Sequence, residues 1–117
     1  MNATELKQWT KVFALRIMKL VDALPTTKSG HAIGNQLVRS GTSVGANYRA
    51  SCRARSKAEF IAKIGVVEEE ADESGFWLEL IVEGSLLPLI KVTELLKEAN
   101  ELTAIMAASR ISASRHR

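Results

Sequence analysis

Apolar side chains recur every three or four residues along four segments of the chain, and no segment alternates apolar with polar residues over a useful length. That period lays a stripe down one face of an α-helix, so the pattern predicts an all-α fold. The first predicted helix covers about residues 4–24, with Leu6, Trp9, Phe13, Ile17, Leu20 and Leu24 on its stripe. Asn2 followed by Glu5 suits a capping box, and Pro25 ends the helix. The second covers about 29–54, where Ile33, Leu37, Val44, Tyr48 and Cys52 are interrupted by Ser40, Gly41, Gly45 and Ala46. Each mid-helix glycine costs about 1 kcal/mol relative to alanine, so this is the least favoured helix by propensity. The third covers 56–83. It opens on Ser56-Lys57-Ala58-Glu59, a second capping box, and carries Phe60, Ile64, Val67, Ala71, Leu78 and Ile81.

Gly84 and Pro88 mark the last turn, with Pro88 allowed in the first turn of a new helix. That fourth helix covers about 87–108 and carries Leu89, Val92, Leu96, Ala99, Leu102 and Met106, and the tail 109–117 is expected to fray. All connections are short, which favours antiparallel neighbours in chain order. The expectation is one domain over residues 1–117, an antiparallel up-and-down four-helix bundle. The small residues Gly41, Ser43, Gly45 and Ala46 are read as a close helix–helix contact, since no Gly-Lys-Ser/Thr makes them a phosphate loop.

Composition changes this picture little. At 117 residues and 46% apolar content the chain can bury a core without staples. The single cysteine, Cys52, excludes an intrachain disulfide and suits a reducing compartment; it is expected as a small core residue. The first residues mix charges and lack an apolar signal region, and no apolar run approaches the roughly 18 residues that cross a bilayer. A cytoplasmic protein without a membrane partner is expected.

Catalytic chemistry is scarce. His31 and His116 are the only histidines, and neither follows a Glu three residues earlier, so neither a metal site nor any other cofactor is expected. Cys52 has no helical histidine to activate it. The acids Glu68, Glu69, Glu70, Asp72 and Glu73 must spread around much of a helix, because each residue turns it by about 100°. Two readings stand beside each other. One is a polar network between the second and third helices, formed by Gln36, Arg39, Ser43, Asn47, Glu69 and Glu73, with Arg39 largely buried against Glu69 or Glu73. The other is a general acid–base pair, which lacks a companion nucleophile. The reading is therefore no enzyme.

Charge carries more information. Residues 1–63 hold eleven Lys/Arg against three acids, and residues 64–109 hold two against ten. The bundle topology puts the turn between helices 2 and 3 at the same end as both termini, which gathers Lys7, Lys11, Arg49, Arg53, Arg55, Lys57 and Lys63 with Arg110, Arg115 and Arg117. One reading is a solvated surface with arginines placed at a helix C-terminus. The other is a phosphate-binding surface whose affinity depends on salt and hardly on sequence, with Lys7, Lys11, Arg49, Arg53, Arg55 and Lys57 as its determinants.

The stretches Gln36–Asn47, Arg53–Phe60 and Glu68–Ser74 closely resemble the bacterial four helix bundle protein family. It is also called the 23S rRNA intervening-sequence protein or S23 ribosomal protein family, and the accessory protein of diversity-generating retroelements looks like a relative. The likeness runs from Trp9 to about Leu102 and excludes the tail. It implies a four-helix bundle, a ring-like homopentamer, and RNA or DNA as a partner, together with a reverse transcriptase or a ribosomal component. This chain departs from the retroelement relatives in being only mildly basic, with an acidic third helix. Independently of the resemblance, a second stripe on helix 1 (Ala14, Met18, Val21) and the pair Leu95 and Leu102 suggest more apolar face than one core needs. Two functional readings result. The first is a homo-oligomeric nucleic-acid or ribonucleoprotein adaptor. The second is a protein-interaction scaffold, in which acidic helix 3 of one subunit meets basic helix 2 of the next.

Overall fold

A computed structural model describes residues 1–115 of the chain, so His116 and the Arg117 assigned to the basic end lie outside the described residues. Four helices run in sequence: α1 (Ala3–Asp22), α2 (Lys28–Ser51), α3 (Lys57–Glu83) and α4 (Leu89–Arg115), with no strand among the described residues. Each starts or stops for a local reason. Asn2 caps α1 in a complete capping box with Glu5. Thr27 caps α2 by accepting from Gly30 N at 3.1 Å. Ser56 caps α3 by accepting from Glu59 N at 3.1 Å, while Glu59 reaches one residue further back than expected, to Arg55 N.

Turns of five residues join all four helices, so neighbours in sequence pack antiparallel in an elongated bundle of 49 × 21 × 19 Å. The predicted stripes meet in a single core: Phe13, Ile17, Leu37, Val44, Ile64, Val67, Leu78, Ile81, Val92, Leu102 and Met106 are all fully buried. Burying a side chain of that size stabilises by roughly 1.5–3 kcal/mol, so this core outweighs the weak helix propensity of α2.

The glycines of α2 have a concrete use. A Cβ added to Gly41 would lie 2.8 Å from Ile17 Cγ2, and one added to Gly45 would lie 3.3 Å from the Thr10 carbonyl oxygen. Helices α1 and α2 therefore approach backbone to side chain along this stretch, and the cost of glycine in a helix is repaid as packing. Two buried serines lie across the next seam, with Ser74 Oγ 2.9 Å from Ser40 Oγ. Thr10, also buried, donates back to the Leu6 carbonyl at 2.8 Å. Helices α1 and α4 close the bundle more sparsely than the other three pairs, and their seam is polar. Glu98 accepts from Trp9 Nε1 at 2.8 Å and from the Arg16 guanidinium.

Several expectations need correction. The tail does not fray within the described residues: α4 matches α3 in length and stays helical to Arg115. Arg110 explains part of this, because its Nε donates to Glu68 Oε1 at 2.7 Å and its stem passes over Gly65. Helix α2 ends earlier than expected, at Ser51, and Cys52 is an exposed C-cap, not a core residue. Leu95 and Leu102 belong to the core, so they offer no spare face. Of the second stripe on α1, Met18 is exposed and Ala14 and Val21 are half-buried; the other large apolar residues exposed among the described residues are Met1, Val12 and Leu15, Val66 and Phe76 on α3, and Leu89, Ile90 and Ile111 on α4.

Candidate functional site

The predicted network between α2 and α3 forms with a different membership and at a different depth. Arg39 pairs with Glu73 and, at 2.9 Å, with Glu70; Glu69 points to solvent on another face of α3. The side chain of Arg39 is 48% exposed, so it is a surface group and not a buried one. The reason is rotational. Glu73 lies about 40° around the helix from Glu69 and about 60° from Glu70 on its other side, and the flank of α3 that carries Glu70 is the one turned toward α2. Gln36 accepts from Arg39 Nε at 3.4 Å, but Ser43 and Asn47 bond back into α2, to the carbonyls of Arg39 and Ser43. The arrangement is a surface brace, completed by Trp77 Nε1 donating to Glu73 Oε2 at 3.0 Å.

The hydrogen bond from Trp77, reinforced by Arg39, holds the Glu73 carboxyl below the ordinary glutamate value of 4.5, against the burial that pushes it up. The sign for stability follows. The unfolded chain takes up this proton first as pH falls, so the stabilisation is present above about pH 4.5 and is lost below it. The difference in melting temperature between the parent and Glu73→Gln is therefore expected to be present at pH 7 and to close between pH 4.5 and pH 3. A difference unchanged at pH 3 would contradict this assignment. Because the pair is exposed, Arg39→Ala is expected to shift the melt by only about a degree or two.

Burial, with Cys52 one turn away, pushes the Tyr48 phenol up to about 12, so it stays protonated and serves as packing. Among the described residues no three His, Cys, Asp or Glu side chains are grouped to hold a metal ion, and no buried side-chain donor or acceptor lacks a partner. No helix among them is long and apolar enough to cross a membrane.

The basic residues do converge. A groove of about 740 Å³ runs between α1 and α2 at the end that carries the termini, lined by Lys7, Lys11, Arg49 and Arg53 with Thr4, Gln8, Ala14, Thr42, Gly45 and Ala46. Its shape follows from the small residues. Gly45 lets α2 settle against the backbone of Thr10, and Ala14, Thr42 and Ala46 keep the floor low. The long cations then rise as walls. Lys7 and Lys11 are one turn apart on α1, about 6 Å along its axis, while Arg49 stands on the last turn of α2 and Arg53 in the turn just after it. No acid lines the groove.

Among the described residues none of these four cations forms an ion pair, whereas Arg16, Arg39 and Arg110 are each held by a glutamate. Charges left unpaired in a concave site raise the local concentration of anions and accept phosphate readily. Arg55 and Lys57 are exposed at the α2–α3 turn and α3 start but do not line the groove. Arg110 is committed to Glu68, which holds its guanidinium charged and removes it from the basic end. Sequence reasoning does not single out Ala14, Thr42 and Ala46 as groove residues, although Lys7-Lys11-Ala14 and Thr42-Ala46-Arg49 each fall on one helical face.

Comparison with known proteins agrees with this architecture. The profile of the family described as "23S rRNA-intervening sequence protein" matches residues 3–108. A crystal structure from Bacteroides thetaiotaomicron, of a protein with unknown function from the S23 ribosomal protein family, superposes with a TM-score of 0.83 at 30% identity. The match covers 90% of this chain and 97% of that one. No curated protein matches.

Proposed function

Because the chain belongs to the 23S rRNA-intervening sequence protein family, we propose that it is a cytoplasmic, non-enzymatic, homopentameric module that holds RNA or DNA by its phosphate backbone in the α1/α2 groove. The observation that carries this reading is the convergence of Lys7, Lys11, Arg49 and Arg53 on one groove with no acid and no intramolecular partner. A cation kept only for solubility has no reason to line a concave surface beside three others. Two cations from α1 facing two from the end of α2 and the turn after it suit a chain of phosphates. The site offers no aromatic on which a base could stack, so binding is indifferent to base identity. Repetition of the groove around a ring multiplies affinity without adding contacts within a protomer.

Fluorescence anisotropy on labelled single-stranded RNA and on duplex DNA, at two salt concentrations, tests the class. Four phosphate contacts in one groove predict a log–log salt slope of about −3 on single strands, from roughly −0.7 per contact. Equal affinity for unrelated sequences is expected. Absence of binding at low salt, or a slope near zero, would leave the protein-interaction scaffold as the better reading. A reverse-transcriptase gene beside this one, or ribosomal RNA on both sides, would name the ribonucleoprotein it serves.

A further inference from the structure

A second groove, of about 410 Å³, lies between α1 and α4 at the opposite end of the bundle. Leu20, Ala23, Leu87, Pro88 and Leu95 make it apolar, and Arg16, Lys19 and Lys91 make its edge positive. Arg16 is neutralised by Glu98; among the described residues Lys19 and Lys91 have no ion-pair partner. The groove lies on the most sparsely packed seam of the bundle, where Glu98 holds Arg16 at the groove edge and Trp9 beyond it.

The complementary surface is on the same molecule. Phe76 stands 50% exposed on the outer face of α3, its ring edge-on to Trp77 with centroids 5.0 Å apart. Asp72, Glu79 and Glu83 follow at helical spacing around it, all exposed and without an ion-pair partner among the described residues. An exposed aromatic ringed by unpaired carboxylates is a costly surface to leave in water, and an apolar groove edged by unpaired lysines is its counterpart.

We propose that Phe76 of one subunit seats in the α1/α4 groove of the next, with Asp72, Glu79 and Glu83 facing Lys19 and Lys91. This deepens the proposed homo-oligomer by naming its interface, and it rests on that reading. Height selects this pairing over one in which acidic α3 meets basic α2. Phe76 lies seven residues before the end of α3, and the groove spans the last two turns of α1 and the first two of α4. Both are thus within about 10 Å of the same end of the bundle, at 1.5 Å per residue. The α1/α2 groove lies at the other end and is lined mainly by polar and charged residues, so it gives Phe76 no seat. Two different surfaces at equal height make a head-to-tail contact with no translation along the bundle axis. Such a contact closes into a ring when its rotation is a whole fraction of a turn, and it leaves the basic grooves open.

Light scattering on the purified chain, with circular dichroism melts to confirm folding, tests the interface. The parent is expected to have a mass several times 12.8 kDa, and Phe76→Ser/Glu79→Lys to fall to 12.8 kDa at micromolar concentration with its helical content intact. Lys91→Glu alone is expected to weaken assembly, and Lys91→Glu combined with Glu79→Lys to restore it. Variants that keep the parent's mass would overturn the interface while leaving the oligomer standing. So would a charge swap that fails to restore assembly. A parent of 12.8 kDa would instead overturn the oligomer, and this interface with it.

Discussion

Replacing Arg49 and Arg53 together with glutamate is expected to weaken nucleic-acid binding about 100-fold or more in 0.1 M salt, for every sequence tried. The magnitude follows from counterion release. A slope of roughly −0.7 per phosphate contact makes each contact worth about 1 kcal/mol at that salt, so two lost contacts alone cost about 30-fold. Reversal adds repulsion between the new carboxylates and the phosphates, and it also neutralises Lys7 and Lys11 across the groove. Both arginines are exposed and unpaired among the described residues, so the fold should tolerate the change. Arg55→Glu is the internal control. It carries the same charge change just outside the groove, and a loss of no more than about threefold is expected. If Arg55→Glu matched the double variant, the basic end as a whole would be the binding surface and the groove would have no special role.

The second large effect concerns stability. Gly41→Leu should lower stability by about 3 kcal/mol, and the melting temperature by roughly 10 °C, measured at fixed protein concentration because assembly shifts the midpoint. A Cβ there would stand 2.8 Å from Ile17 Cγ2 and 3.0 Å from Ile17 Cγ1, and Ile17 is fully buried and cannot swing away. The gain in helix propensity, about 1 kcal/mol, is smaller than the overpacking it brings. Gly65→Ala makes the opposite case. Its nearest foreign atom would be Arg110 Cδ at 3.8 Å, an ordinary contact, so propensity should win and stability rise by about 0.5–1 kcal/mol. A Gly41→Leu protein as stable as the parent would mean that α1 and α2 are not in such close contact.

These two glycines show where sequence reasoning reaches and where it stops. The small residues of α2 mark a close approach because nothing else explains glycine inside an otherwise apolar stripe. Which isoleucine they meet depends on how the helices are rotated and offset. The stripes through Phe13, Ile17, Leu37, Ile64 and Leu78 define the core directly, since burial follows the helical period. Partners across a seam are harder to read. Glu69, Glu70 and Glu73 differ by a rotation of the helix that the sequence leaves free, which is why the contact falls on Glu70 and Glu73. The same holds for Trp9 and Arg16, two turns apart on one face of α1, which converge on Glu98 from a helix some 80 residues away. Helix ends depended on packing in a similar way. Ser109–Arg115 has a composition that favours fraying, and the neighbouring face of α3 overrides it. For the proposed basic site, charge and topology together point to one end of the bundle. They did not separate Lys7, Lys11, Arg49 and Arg53 from Arg55 and Lys57, because a groove is defined by the low floor at Ala14, Thr42 and Ala46 as much as by its walls.

The central claim is that this groove, and not the basic end at large, receives the phosphate backbone. An amide-resonance titration of the isotope-labelled protein with a short single-stranded RNA tests it most directly. Shifts are expected to cluster on Thr4–Ala14 of α1 and on Thr42–Arg53, from α2 into the turn after it, and to vanish as salt is raised. Shifts centred on Arg55–Lys63 or on α4, or none in α1 at saturating RNA, would contradict it.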